Sequence, residues 1–157
     1  MRKVLIYGAL LAAALVIPTN DVELGKMKPV ETVSIRMQEG KVFVETDTED
    51  YGVGSTLEEA LQDLKETTAG VIYLDTADYL IVDQKCQEQM AVLLNTLKPN
   101  MRICLRSGDV DMKTVSEFLR EHTPEMKLKN WKPGEKMQVL EGENGRMKLK
   151  QKSEKSA

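Results

Sequence analysis

Three groups of residues have the types and spacing to do chemistry. The first is the stretch "VETDTEDYGVGSTLEEALQDLKE", with Asp47, Glu49, Asp50, Tyr51, Gly52 and Gly54 ahead of Glu58 and Glu59. Counted from Asp47, the places of Asp47, Glu49, Tyr51, Gly52 and Glu58 follow the calcium-loop spacing, in which alternate side chains supply oxygens around a glycine turn. Tyr51 stands where a chelating oxygen is required, and a strand pattern rather than a helix leads in. Read as a phosphate cradle, "GVGSTLEE" puts amide groups at the positive end of a helix. It lacks the Lys-Ser/Thr of a P-loop and the third glycine of a dinucleotide fingerprint, and Glu58 and Glu59 already fill the first turn with negative charge. The simplest reading is a turn followed by a helix capped by Ser55 or Thr56.

The second group is Asp75 and Asp78 in "LDTAD", with Thr76 between them. Two carboxylates in one cleft can serve as acid and base in a hydrolase. The competing reading places one aspartate in a turn and the other on an exposed strand face. The third group is Cys86, Cys104 and the single histidine, His122, which the fold would have to bring together for thiol chemistry. No Gly-x-Ser-x-Gly, His-Glu-x-x-His or Cys-x-x-Cys pattern occurs, so the usual signatures of nucleophile and zinc chemistry are missing. No cofactor is expected.

The elements that must position these residues follow from hydrophobic period. "PVETVSIRM" and "KVFVETDT" alternate and flank "QEGK", as a hairpin does. Leu57, Ala60, Leu61 and Leu64 recur at helical spacing until Gly70. "VIYLDTADYLIVD" reads as an extended run kinked near Thr76, "QKCQEQMAVLLNTL" as a helix, "MRICLRSG" as a strand and "DVDMKTVSEFLREH" as a helix started by an acidic cap. The expected order is ββαβαβα, an α/β (α+β) domain over residues 20–125 with a single mixed sheet covered by helices. Residues 126–150 form a short extension that holds a further hairpin around "GENG", and 151–157 are a basic tail. Trp131, outside the periodic elements, is expected to fold back onto the domain.

The ends speak to location. Arg2 and Lys3 precede an apolar run from Val4 to Ile17 closed by Pro18, shorter than the roughly 20 residues of a comfortable spanning helix and suited to an export signal. Residues 1–19 are therefore read as a signal peptide or an uncleaved membrane anchor, with the rest extracytoplasmic. In that setting Cys86 and Cys104 could pair, although both sit among apolar residues where free thiols are ordinary core filling. With 22 basic against 25 acidic residues and 4% aromatics, the chain lacks the charge excess and stacking platforms of nucleic-acid binders.

The run from "NDVELGKMKPVETVSIRMQEGKVFVETDT" through "GSTLEEALQDLKETTAGVIYLDTADYLIVDQ" to "LLNTLKPNMRICLRSGDVD" resembles the amino-terminal domain of the Ger(x)C spore germination proteins, the C subunits of germinant receptors. The resemblance covers about residues 20–125 and lies in pattern and order. Members are usually lipoproteins, often carry Gly-His where this chain has Asp75 and Thr76, and continue through further domains. No cysteine follows the apolar run here, so lipid attachment is not implied. What the resemblance implies is a non-enzymatic domain at the outer face of a membrane, in a setting of sporulation or germination, with a membrane protein as partner. Contact residues are then expected in two exposed loops, Asp47 to Gly54 and Asp75 to Asp78.

Overall fold

The computed structural model describes residues 27–143 and 145–151. The expected amino-terminal signal or anchor and the end of the basic tail lie outside them, and no helix among the described residues is long and apolar enough to cross a membrane. The chain runs β1 (Met27–Pro29), β2 (Thr32–Gln38), β3 (Lys41–Thr46), β4 (Tyr51–Gly54), α1 (Leu57–Thr67), β5 (Val71–Tyr73), β6 (Tyr79–Asp83), α2 (Met90–Thr96), β7 (Arg102–Gly108), α3 (Val115–Glu121), β8 (Val139–Glu143) and β9 (Arg146–Lys150). Seven strands form one mixed sheet in the order β4-β3-β2-β6-β7-β8-β9. The four central strands, β2, β6, β7 and β8, are parallel. Strands β3 and β9 pair antiparallel with β2 and β8, while β1 and β5 form a separate parallel pair.

Side-chain alternation along the strands separates two cores. Val33 and Ile35 of β2, Leu80 and Val82 of β6, and Ile103 and Leu105 of β7 face one side, where Leu57, Leu61 and Leu64 of α1 and Leu93 of α2 cover them. Ile81, Cys104 and Leu140 face the other, under Val115 and Leu119 of α3. Strands β6 and β7 are thus apolar on both faces, as parallel strands buried between layers must be, whereas β2 turns Thr32, Ser34 and Arg36 to the α3 side. Helix α1 begins at the expected place: Thr56 Oγ1 accepts from Glu59 N at 3.2 Å, while Glu59 Oε2 accepts from Ser55 N at 2.8 Å.

Beyond the expected order, one turn proves to be a strand, and the expected kink and last hairpin take definite forms. The supposed turn at "YGVG" is strand β4, paired with β3 from Glu45↔Tyr51 to Val42↔Gly54. "VIYLDTADYLIVD" splits at a 3-10 turn, Leu74–Thr76, into β5 and β6. Thr76 Oγ1 fixes that break by accepting from Val30 N at 3.0 Å, with the Val30 and Tyr73 carbonyls 2.8 and 2.7 Å away. The last hairpin forms and continues the main sheet, because β8 pairs with β7 from Leu105↔Val139 onward. Trp131 does fold back, packing against the larger core.

Candidate functional site

Most of the acidic loop is used up in holding the fold. Asp47 Oδ1 accepts from Glu31 N at 3.2 Å, and Asp47 Oδ2 accepts from Ser116 Oγ at 2.7 Å. Ser116 Oγ lies 2.7 Å from Thr32 Oγ1, so one carboxylate ties α3 to the start of β2. Asp50 pairs with Lys28 Nζ at 3.0 Å and accepts from Thr48 at 2.8 Å. Gly52 and Gly54 lie against the α1 backbone. Glu49, in the left-handed region at φ 65°, pairs with Lys113 at 2.9 Å, which raises the Lys113 pKa through the hydrogen bond and the carboxylate charge. Tyr51 is exposed. Among the described residues no three carboxylate, His or Cys side chains converge as a metal set.

A calcium module and a structural turn give different outcomes for Asp47. Removing a carboxylate that satisfies a backbone amide and a hydroxyl costs about 1–3 kcal/mol. Asp47→Ala is expected to lose that much in urea unfolding, equally with calcium and with chelator. A calcium-dependent difference in the wild-type unfolding midpoint would instead reveal binding to the native state.

The second loop is divided among separate tasks. Thr76 fastens the chain break described above. Asp78 pairs with Lys98 Nζ at 2.9 Å, whereas Asp75 lines a cleft with Leu61, Lys65, Val71 and Tyr73 in which Asp78 has no part. The cysteines lie in different cores on opposite faces of the sheet, and both are free. A bond between them would have to pass through the sheet, so the pairing considered from sequence does not form. Burial, with the Asp83 charge adding to it, pushes the Cys86 thiol up to about 11, and burial alone pushes Cys104 to about 12. Both remain protonated at neutral pH, unsuited to nucleophilic work.

A concave site with convergent polar groups lies elsewhere, at the carboxyl ends of β2, β6 and β7. The chain leaving β6 passes to the α2 side of the sheet and the chain leaving β7 to the α3 side, so a crevice opens between them, which is where open α/β sheets generally take ligands. Its volume is about 640 Å³, and Arg36, Gln38, Asp83, Lys85, Arg106 and Asp109 are among its walls. Glu45 holds both arginines: its carboxylate accepts from Arg36 Nη2 at 2.7 Å and from Arg106 Nη1 at 3.3 Å. Arg106 also donates to Ser34 Oγ and to the Gly108 carbonyl, each at 3.2 Å. Arg36 donates to Gln38 at 3.1 Å and stacks 4.8 Å from the Phe43 ring centre.

Arg36 and Arg106 also line a second hollow of about 370 Å³, whose walls include Glu49, Asp50, Tyr51, Met112 and Lys113. Of the residues singled out from sequence, these three of the acidic loop reach the concave region, while Asp47, Gly52, Gly54, Asp75, Thr76 and Asp78 do not line either hollow. Nothing in the spacing pointed to Arg36 and Arg106. The one signal was the polar phase of β2, "TVSIRM", where Thr32, Ser34 and Arg36 alternate with buried valine and isoleucine.

Comparison with protein-family models, with curated proteins and with solved structures finds no match to this chain.

Proposed function

We propose that this chain is a non-enzymatic recognition domain, exported or held at the outer face of a membrane by its amino-terminal segment, that binds an extracytoplasmic part of a membrane protein. One observation carries the reading. Helix α3 packs on one sheet face against residues of β6, β7 and β8, while on β3 and β4 the same face presents Phe43, Tyr51 and Val53, of which Tyr51 is 64% exposed. The hollow beside this strip carries Glu45, Glu49, Asp50, Asp109 and Asp111 against Arg36, Arg106 and Lys113, so the complementary partner surface is apolar with basic side chains at its rim.

Docking falls on the face and not on the β4 edge. Val53 N donates to Asp63 Oδ2 at 2.8 Å and the Tyr51 carbonyl accepts from Thr67 Oγ1 at 3.3 Å, so α1 occupies outward-facing groups that strand addition would need. Confinement near the membrane by the Val4 to Ile17 run would raise the effective concentration for a membrane partner. The resemblance to the Ger(x)C proteins supplies the setting, sporulation or germination.

A photo-crosslinking residue in place of Tyr51 in the full chain is expected to give a discrete adduct with an integral membrane protein in cells. The same residue in place of Lys148, on the far hairpin, should give none. Val53→Asp should remove the adduct by putting a charge in the apolar strip. Identical adducts from both positions, or none from either, would sink the reading.

A further inference from the structure

The geometry points to an oxyanion-binding site in the carboxyl-end crevice, formed by Arg106, Arg36 and Lys85, for a small hydrophilic oxyanion: a carboxylate or inorganic phosphate. It shares Arg36 with the docking strip, but a different measurement reads it, so either proposal can fail alone.

Charge is the first consideration. Three cations, Arg36, Lys85 and Arg106, and two carboxylates, Asp83 and Asp109, line the crevice, and Glu45, in the neighbouring hollow, pairs with both arginines. With Glu45 counted the charges balance, and Asp83 is partly occupied by accepting from Lys85 N at 3.0 Å, so it is the unspent donors that favour an anion here.

Donor accounting is the second. A guanidinium carries five N–H groups in a planar fork. Arg106 spends Nε on the Gly108 carbonyl and Nη1 on Ser34 and Glu45, and its Nη2 has no acceptor among the described residues. That nitrogen is not a buried orphan either, so it faces accessible space. The three bonds that Arg106 does make hold the fork in place, with its side chain only 11% exposed. Such preorganisation lowers the ordering cost of binding. Arg36 is under-satisfied in the opposite way: its Nε is buried without an acceptor, which is unfavourable for a donor withdrawn from water. Turning toward an incoming oxygen would relieve it.

Backbone packing is the third. A Cβ at Gly142 of β8 would overlap the Asp109 carbonyl oxygen and lie 2.6 Å from its carbon, and Gly108 takes φ 77°. The rim Ser107–Asp109 is therefore seated against β8 and does not hang free. The walls are mostly polar side chains, and the volume lies within the roughly 300–1,000 Å³ of small-molecule sites. Together these features suit a hydrophilic anion.

A network serving stability alone would not need the open Nη2, and Lys85, exposed on the crevice wall, makes no side-chain ion pair among the described residues. The test uses the full chain in mild detergent, titrated separately with glutarate half-ester, acetate and phosphate at constant ionic strength, with chloride as reference. Amide resonances of Ser107, Gly108 and Asp109 and the arginine side-chain N–H signals are followed by NMR. Saturable shifts are expected with an oxyanion and not with chloride, and the preferred anion identifies the source as an organic acid or phosphate. Arg36→Gln and Lys85→Gln should each weaken binding about tenfold, the loss of one charge-assisted hydrogen bond. Lys148→Gln should leave it unchanged, and circular dichroism on each variant separates lost binding from lost fold. Shifts that never saturate, that chloride reproduces, or that survive in folded Arg36→Gln overturn the proposal.

Discussion

Gly52→Val is expected to lower the stability of the chain by about 3 kcal/mol or more. A Cβ at Gly52 would overlap Ala60 O and Leu64 N and sit 2.7 Å from Leu64 Cα. Every one of those atoms is backbone, so no side chain can swing away. Relief requires α1 to lift from β4, which would uncover Val42, Val44, Leu57, Ala60 and Leu64, all within the larger core. Overpacking in a compliant core costs about 1–3 kcal/mol. Against a fixed helix backbone the cost should lie at or above the top of that range, a large share of the roughly 5–15 kcal/mol that holds a domain together. Urea unfolding followed by far-ultraviolet circular dichroism checks it, with Gly40→Val as the control: a Cβ at Gly40 meets nothing within 4 Å, although its φ of 76° brings backbone strain. A Gly52→Val midpoint equal to that of wild type would mean that α1 does not sit on β4 as described.

The same glycine explains why part of the fold was hidden. "DYGVG" reads as a turn because glycine weakens a strand and usually marks a bend. Here Gly52 and Gly54 serve the opposite purpose: they let a strand lie directly under a helix, a close approach that only the partner element reveals. Where period alone decides, the sequence was readable. Leu57, Ala60, Leu61 and Leu64 repeat at helical spacing and all four are buried, and "YLIVD" reads as an interior strand and is one.

The crevice was not readable, for a different reason. Arg36, Asp83 and Arg106 lie on three separate strands, and what brings them together is the parallel register Ile35↔Val82 and Asp83↔Arg106. Local spacing carries no trace of that register. The acidic loop looked like chemistry because its charges are adjacent in sequence, yet adjacency let them satisfy one another and the nearby backbone. Asp50 with Thr48, and Thr46 with the Asp50 carbonyl, show how such a cluster is consumed at short range.

Burial of β6 on both faces sets the other large effect. Leu80 and Ile81 are each fully buried, Leu80 in the core under α1 and α2 and Ile81 in the core under α3. Large-to-small changes at such sites cost about 2–5 kcal/mol, the lost transfer free energy plus the cavity left behind. Leu80→Ala and Ile81→Ala are therefore both expected to lower stability by about that much. A strand exposed on one face would instead show one large and one small value, because an exposed truncation leaves no cavity. The two sites differ in how easily the wound can close. Leu80 lies in the larger core, to which α1, α2 and Met101 all contribute, whereas the smaller core rests on one short helix that could settle inward. The larger loss is expected for Leu80→Ala, read as a shift in urea midpoint at unchanged slope. A negligible effect at Ile81 would mean that α3 does not pack on the sheet, and the crevice between the two helix layers would lose one of its walls.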